Sequence, residues 1–278
     1  MSKNKPEYVS APDGLPARVV GPWVGRKVQF VDNQTTIFAN GMKNKWNHRA
    51  YVELFSGPGL SFDRVGHAFV PGSAIRALER NFTHYAFVDI DRTAVTALRQ
   101  RIEARGKTPL APVFQSDCNK AVAAIHGAIP ADALTLAFVD PTSWQVRLST
   151  IEALAANRRV DLLMTFHAGS MKRLAHMSSP ALDAFFGTDE WRAALACPWW
   201  ERLEALLRLY NRQLAQFGYL DSWQYRVPVK NSRGVSMYQL VMFSKHARGV
   251  DFWRKSIAHD PHPSGQTSIY DVLEPGLG

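Results

Sequence analysis

Cysteine is scarce in this sequence: Cys118 and Cys197 are the two that occur among 278 residues. They stand far apart, and neither belongs to a cluster with metal-ligand spacing, so the sequence predicts no disulfide scaffold and no metal site. Such low cysteine usage without pairing is typical of proteins in reducing compartments, and we expect a cytoplasmic location.

Long apolar runs are also missing. No segment approaches the roughly 20 apolar residues that a membrane-spanning helix needs. The polar first residues, MSKNKPEYVSAPDG, lack the apolar stretch of a secretory signal. We therefore expect no membrane partner. The hydrophobic content of 46% and the charged content of 21% are ordinary for a globular chain that buries a core.

Acidic residues are in the minority, with 24 Asp and Glu against 33 Lys and Arg and a formal net charge of +9. A positive balance of this kind favours polyanionic partners, and nucleic acid is the partner we expect. The basic residues are scattered along the chain, and many basic proteins bind no nucleic acid. The charge therefore supports this expectation without identifying the substrate.

Strand-like and helix-like segments alternate five times, which predicts right-handed crossovers and a parallel sheet. The expected fold is α/β, with a Rossmann-like, doubly wound, mostly parallel sheet. Two further segments and their connecting turn indicate a C-terminal antiparallel hairpin. The predicted strands are 51–55, 85–89, 112–115, 134–139, 160–166, 222–229 and 236–244; the predicted helices are 22–41, 73–80, 92–104, 120–127, 149–157 and 248–258.

Composition along the chain predicts three regions. Residues 1–48 are expected to form a lead-in, irregular to about residue 21, followed by a helix. Residues 49–258 form the main domain, with a helical insertion at about 168–218. Residues 259–278 are expected to form a tail.

The segment 51–60, YVELFSGPGL, predicts a buried strand that ends in a tight turn. Gly57 and Gly59 permit positive φ and let a ligand approach the backbone closely. Glu53 lies within the strand, where an unpaired buried carboxylate is costly. The pattern indicates a small-molecule site at the carboxyl edge of the sheet, although a purely structural turn explains it equally well.

Acidic residues also follow the next three predicted strands. Asp89 and Asp91 come at the end of the second, Asp117 after the third and Asp140 after the fourth. A carboxylate after the second strand can accept hydrogen bonds from ribose hydroxyls, and one after the third from an adenine amine. Asp91 and Asp117 could instead be helix N-caps. Their shared position at one edge of the sheet favours a ligand site.

The order ELFSGPG, FVDID, SDCN and FVDP resembles the class I S-adenosylmethionine-dependent methyltransferases. More narrowly, the chain resembles the three-Cys-motif partner proteins, a bacterial methyltransferase-like family. This narrower resemblance covers nearly the whole chain and includes Gly21-Pro22-Trp23, Gly72-Ser73, Phe185-Phe186-Gly187-Thr188 with Trp191, and Ser244-Lys245-His246.

The resemblance implies S-adenosylmethionine as the cofactor, bound by the 49–258 domain. It places the methionine half of the cofactor at Glu53, Gly57 and Gly59, the ribose at Asp89 or Asp91, and the adenine at Asp117. The full set of implied cofactor-binding residues is Glu53, Phe55, Ser56, Gly57, Gly59, Asp89, Asp91, Asp117 and Cys118.

Asp140-Pro141 stands where amino-methyltransferases have Asp-Pro-Pro-Tyr, which implies that Asp140 accepts a hydrogen bond from the target amine. Trp144 could stack on an extruded base. The second proline is missing and the aromatic residue comes one position late. Asp140, Pro141 and Trp144 are the expected catalytic residues, with core packing as the alternative role for Trp144.

The expected function is an S-adenosylmethionine-dependent methyltransferase that acts on a nucleic acid, at a base or an exocyclic amine. The alternative is an accessory subunit that keeps the cofactor fold and serves a three-Cys-motif partner protein. A nicotinamide-dependent dehydrogenase is disfavoured because the turn lacks the three-glycine fingerprint.

Overall fold

The computed structural model describes residues 6–167, 180–230, 234 and 236–258. In this part of the chain the strands are β1 (Tyr8–Ser10), β2 (Pro16–Val20), β3 (Arg49–Leu54), β4 (Leu60–Asp63), β5 (Ala68–Pro71), β6 (His84–Asp89), β7 (Val113–Gln115), β8 (Leu134–Val139), β9 (Arg159–Phe166), β10 (Arg226–Lys230) and β11 (Ser236–Phe243). The α-helices are α1 (Trp23–Met42), α2 (Ser73–Leu78), α3 (Arg92–Glu103), α4 (Val122–Ala128), α5 (Leu148–Ala155), α6 (Pro180–Phe186), α7 (Trp191–Ala196), α8 (Arg202–Ala215) and α9 (Ala247–Ala258).

The main sheet has seven strands in the order β10-β11-β9-β8-β3-β6-β7. Its strands from β7 to β9 run parallel, and β11 and β10 add an antiparallel pair. The predicted Rossmann-like, mostly parallel sheet with a C-terminal hairpin is thus confirmed. The first hairpin strand begins at Arg226, later than predicted, and most of the connecting turn lies outside the described residues.

The central strand β3 is buried because the sheet is covered on both faces. Val52 and Leu54 belong to one apolar cluster, and Tyr51 belongs to the other. Successive side chains of a strand point to opposite faces, so a strand covered on both sides reads as a nearly continuous apolar run. Glu53 is the buried exception within this run, at 1% exposure.

A second sheet of four strands, in the order β1-β2-β4-β5, was not predicted. Strand β2 pairs in parallel with β4, and β4 forms an antiparallel hairpin with β5. The expectation of an irregular lead-in is therefore wrong for β1 and β2, and the segment after the glycine turn is a hairpin. The strands are short, and the β2–β4 pairing that joins the two hairpins links residues about 40 positions apart, so the local pattern does not reveal this sheet.

Arg101 on α3 ties this small sheet to the glycine turn. Its side chain is 3% exposed and pairs with Asp13 at 2.8 Å. It also donates to the carbonyl oxygens of Pro16 at 2.9 Å and Pro58 at 2.6 Å. Charge-assisted bonds of this kind are among the stronger ones in proteins. The N-terminal strands are thereby fixed against the turn that follows β3.

The predicted N-terminal helix is confirmed as α1, and the described part of the 168–218 segment forms α6, α7 and α8. Residues 168–179 of that segment and the 259–278 tail lie outside the described residues. None of the described helices combines the length and apolar character that a membrane crossing requires.

Candidate functional site

A cavity of about 830 Å³ lies at the carboxyl edge of the main sheet. Its walls come from the glycine turn, the small sheet, the start of α1, the loop after β8 and the start of β11. A volume in this range suits a small-molecule ligand with room for a second group. The predicted site residues that line it are Glu53, Phe55, Ser56, Gly57, Gly59, Asp140 and Pro141.

The glycine turn has a backbone that few residue types adopt. Gly57 and Gly59 have φ of 61° and 85°, and Phe55 has a positive φ of 74° although it is not glycine. The amides of Phe55 and Ser56 both donate to the carbonyl of Val88, at 2.9 and 3.0 Å. Strained backbone that neighbouring bonds hold in place is typical of functional sites.

Asp89 supports this turn from the next strand. One carboxylate oxygen accepts from the amide of Gly57 at 2.8 Å, and the other accepts from the amide of Asp91 at 2.9 Å. Asp91 caps α3 through the amide of Thr93 and also accepts from the hydroxyl of Tyr8 at 2.8 Å. Asp91 therefore has the N-cap position that was its alternative role, and Asp89 is the one next to the glycine turn.

Asp117 and Cys118 follow β7 but do not line the cavity. Asp117 accepts from the backbone amide of Asn119 at 2.9 Å and so caps a short 3-10 helix. Cys118 is buried in the core, and burial raises the pKa of its thiol to about 12. The adenine-binding role of this pair stays a prediction.

Ser56 provides a test of whether the cavity fits S-adenosylmethionine. Its hydroxyl is buried, lines the cavity and has no hydrogen-bond partner in the described part of the chain. Gly57 beside it has no atom within 4 Å of where a Cβ would stand. An open backbone next to an unsatisfied hydroxyl fits a polar ligand that approaches the turn closely. The residues present therefore fit the cofactor.

Glu53 forms the floor of the cavity. It accepts from the hydroxyls of Tyr51 at 2.9 Å and Ser73 at 2.5 Å. Burial raises the pKa of its carboxyl to about 8, despite these bonds and the nearby Lys27 ammonium. Glu53 is therefore largely protonated at neutral pH until a cation approaches it.

Asp140 follows β8, the strand next to β3, and lines the same cavity, with its side chain 20% exposed. One oxygen accepts from the hydroxyl of Thr165 at 2.6 Å, and the other pairs with the ammonium of Lys27. Burial alone would raise the pKa of Asp140, but the Lys27 charge and the bonds from Lys27 and Thr165 lower it below its ordinary value. Asp140 is thus a firmly ionised hydrogen-bond acceptor.

Trp144 lies away from the cavity, in the core. It is 6% exposed and its ring packs against those of Phe185 at 4.8 Å and Phe166 at 5.3 Å. This position matches the alternative role, core packing. A stacking role would require the ring to leave this aromatic cluster.

Sequence reasoning missed Lys27, Thr165 and Tyr238, which surround Asp140 or the space beside it. A signal existed for two of them. Lys27 is a charged residue on the apolar face of α1, and Thr165 interrupts the apolar run of β9. Polar residues at core positions call for a partner, and here the partner is Asp140.

Among the described residues, no group of three or more His, Cys, Asp and Glu side chains is placed to hold a metal ion. The carboxylates at this edge are engaged instead by amides, hydroxyls and the Lys27 ammonium.

A comparison with protein-family models gives no match, and a comparison with curated proteins gives none either. Among solved structures, an O-methyltransferase from Bacillus cereus in complex with SAH is similar at 14% identity, covering 85% of this chain and 87% of that chain with a TM-score of 0.50. The bifunctional kinase-methyltransferase WbdD matches 80% of this chain and 39% of that chain (12% identity, TM-score 0.45). A conserved hypothetical protein from Streptococcus pyogenes matches 77% of this chain and 96% of that chain (15% identity, TM-score 0.39).

The likeness to the Bacillus cereus enzyme concerns the fold, since its identity is low. Together with the strand order, it shows that this chain has the α/β Rossmann-like methyltransferase fold. The resemblance to class I methyltransferases is confirmed at that level. Membership of the three-Cys-motif partner family stays a prediction.

Proposed function

We propose that this chain is an S-adenosylmethionine-dependent methyltransferase that acts on a nucleic acid, at an exocyclic amine of a base. The observation that carries the proposal is that one cavity contains both the glycine turn and Asp140. A similar fold in the Bacillus cereus O-methyltransferase, solved with SAH, supports the cofactor. Because one fold hosts many chemistries, the acceptor must be inferred from the site itself.

The cofactor would contact the turn and the floor of the cavity. Ser56 would donate its free hydroxyl to the methionine half, and Glu53 would face the ammonium group of that half. Asp89 is the better candidate for the ribose because it accepts from the amide of Gly57 in the glycine turn, whereas Asp91 caps α3. Both carboxylates already accept from protein donors, and neither residue lines the cavity. When bound, S-adenosylmethionine supplies an electrophilic methyl group on a sulfonium.

Asp140 would accept a hydrogen bond from the target amine and so orient its nitrogen lone pair. Its lowered pKa makes it a weak base, so its contribution is alignment rather than proton abstraction. Alignment of the reacting groups can supply a large part of a rate enhancement. Thr165 and Lys27 fix the carboxylate for this purpose.

The charge of the chain supports a nucleic-acid acceptor. Arg18 and Arg64 line the cavity, where they can contact phosphates beside a base that enters it. Lys43 and Lys45 precede β3 and therefore lie at the opposite edge of the sheet. Arg49 donates to backbone carbonyls near the start of β3, and Lys172, Arg173 and Arg233 lie outside the described residues.

One observation favours the accessory-subunit alternative. Both oxygens of Asp140 already accept from protein donors, so a substrate amine must share an oxygen with Lys27 or Thr165. A protein that keeps the cofactor fold without catalysis could retain such a closed pair. The catalytic neighbour would then be a three-Cys-motif partner protein.

Radiolabelled methyl transfer to nucleic acid and to protein extracts decides between the two. The assay compares wild type with Asp140→Ala, with and without the neighbouring protein, and cofactor affinity is measured by calorimetry. We expect Asp140→Ala to retain cofactor binding while transfer falls by orders of magnitude. Asp161→Asn is a control, because Asp161 is a buried carboxyl near the start of β9, away from the cavity. Transfer that survives Asp140→Ala, or is absent from wild type alone, would support the accessory role.

A further inference from the structure

Tyr238 has a buried hydroxyl for which the described part of the chain offers no hydrogen-bond partner. The residue is 6% exposed and lines the cavity. Leaving a buried hydroxyl without a partner is destabilising, so native proteins rarely keep one without a reason. A ligand that accepts this hydrogen bond would supply the reason.

The position of Tyr238 is fixed by its surroundings. It pairs with Val229 in the β10–β11 hairpin, at the carboxyl edge of the main sheet. The ammonium of Lys27 lies 5.5 Å from the centre of its ring, and the imidazole of His167 lies 6.1 Å away, centre to centre. Lys27 is the residue that pairs with Asp140, so Tyr238 belongs to the same end of the cavity.

Tyr210 shows what the same feature looks like without a cavity. Its hydroxyl is also buried without a described partner, but its ring lies in the aromatic core, 4.7 Å from that of Phe185. Tyr210 does not line the cavity. An unsatisfied hydroxyl alone therefore indicates no ligand; at Tyr238 it coincides with open space beside Asp140.

We propose that Tyr238 is an acceptor-binding residue whose hydroxyl donates to a ring nitrogen of the base while Asp140 accepts from the adjacent exocyclic amine. The inference rests on the proposed function and narrows its substrate class. Cytosine and adenine have this pattern, an amine next to an accepting ring nitrogen, on their Watson–Crick edge. Uracil lacks the amine. A donor and an acceptor at fixed places select for the pattern because a mismatch leaves buried groups unpaired.

The test measures binding of single-stranded oligonucleotides in the presence of saturating S-adenosylhomocysteine. The probes carry cytidine or adenosine at one position, or 3-deazacytidine or 1-deazaadenosine, in which that ring nitrogen is replaced by C–H. We expect wild type to bind at least one natural base about tenfold more tightly than its deaza analogue. Tyr238→Phe should lose that discrimination, and Tyr210→Phe should retain it.

Stability separates a ligand-binding role from a structural one. Because the described part of the chain gives the hydroxyls of Tyr238 and Tyr210 no hydrogen-bond partner, both Phe variants should unfold at the same denaturant concentration as wild type or a higher one. A clear destabilisation by Tyr238→Phe would show that its hydroxyl serves the fold, and would overturn the inference.

Failure of the inference is distinct from failure of the proposed function. Equal discrimination by wild type and Tyr238→Phe, or no binding of any oligonucleotide by wild type, overturns the role of Tyr238. Discrimination that depends on Tyr238 without methyl transfer would retain that role and contradict the enzymatic function.

Discussion

Lys27 and Asp140 form an ion pair although 113 positions separate them in the chain. Lys27 lies near the start of α1, and Asp140 follows β8 at the carboxyl edge of the sheet. The N-terminal helix thus supplies a charge to the candidate site as well as covering the sheet. Asp140 has its low pKa largely because of this partner.

Lys27→Met should destabilise the fold by about 2 kcal/mol at neutral pH. The change leaves a carboxylate in a largely buried place without its partner, and the penalty is reduced because Asp140 is 20% exposed. The folded-state pKa of Asp140 is lowered, so the stability that it contributes is present above its ordinary value of 3.8 and is lost as the pH falls through the folded value. Urea unfolding at several pH values should therefore show that the difference in free energy of unfolding between wild type and Lys27→Met becomes smaller at acidic pH.

Lys27→Arg is the matched control, since it keeps the positive charge. The free energy of unfolding of Lys27→Arg should depend on pH in the same way as that of wild type. If the deficit of Lys27→Met stays constant from neutral to acidic pH, the ion pair does not stabilise the fold through the charge of Asp140.

Glu53→Gln should make the fold less sensitive to rising pH. Burial raises the pKa of Glu53 from 4.5 to about 8 in the folded state. The stability contributed by its protonated form is fully present below 4.5 and is lost as the pH rises through about 8, at up to about 1.4 kcal/mol per pH unit. Denaturant unfolding of wild type and Glu53→Gln should be measured from pH 5 to 9. The free energy of unfolding of the variant should rise relative to that of wild type as the pH increases, and the difference should level off above about pH 8. A flat difference would contradict a protonated Glu53.

The raised pKa of Glu53 also leads to a prediction for the number of protons released when the cofactor binds. An ammonium group close to Glu53 should favour its ionised form, so binding near pH 7 should release close to one proton. Calorimetry of S-adenosylmethionine binding in buffers with different ionisation enthalpies measures this number. Glu53→Gln should release none, and equal release by both proteins would exclude Glu53 as the source.

The sequence was sufficient for the main sheet, because β3, β6, β8 and β9 are buried on both faces and read as apolar runs with turns between them. It was also sufficient to find Asp140 and the glycine turn, which are local patterns. It did not reveal β1 and β2, or the pairing of β2 with β4, since these strands are short and β2 lies far from β4 in the chain. Tyr238 was missed because a Tyr in a strand is ordinary. What sets it apart is that its buried hydroxyl has no hydrogen-bond partner in the described part of the chain, and a sequence does not show this.

Two glycine variants should separate backbone strain from packing in the turn. Gly57→Ala places a Cβ in open space at positive φ and should cost about 1–2 kcal/mol. Gly59→Ala adds contacts of 2.9 Å with Ile75 and Leu98, so its loss should be larger, about 3–4 kcal/mol. Urea unfolding measures both. Calorimetry should show weaker cofactor binding for Gly57→Ala, which alters the open backbone beside Ser56; unchanged affinity would place the ligand elsewhere in the cavity.

Arg101→Met should loosen the small sheet. It removes the partner of Asp13 and the donor to the carbonyls of Pro16 and Pro58, and should cost about 3 kcal/mol because Arg101 is 3% exposed. Limited proteolysis should then cut the N-terminal strands faster than in wild type. Arg105→Met is the control, since its guanidinium donates to the carbonyl of Arg101, one turn earlier on α3. Equal cleavage of the two variants would argue against Arg101 as the anchor.

Nucleic-acid binding should depend on the basic residues at the cavity and not on those at the far edge of the sheet. Each phosphate contact adds about 0.9 to the slope of log affinity against log salt for duplex DNA, and about 0.7 for a single strand. The double variant Arg18→Gln with Arg64→Gln should therefore reduce the slope by up to about 2 in a fluorescence-anisotropy titration. Lys43→Gln with Lys45→Gln makes the same change of charge at exposed positions before β3, and should leave the slope unaltered.

If only the Lys43→Gln, Lys45→Gln variant changes the slope, nucleic acid binds away from Asp140 and is not positioned as a methyl acceptor. If wild type binds neither DNA nor RNA at low salt, the net charge of +9 does not reflect a polyanionic partner.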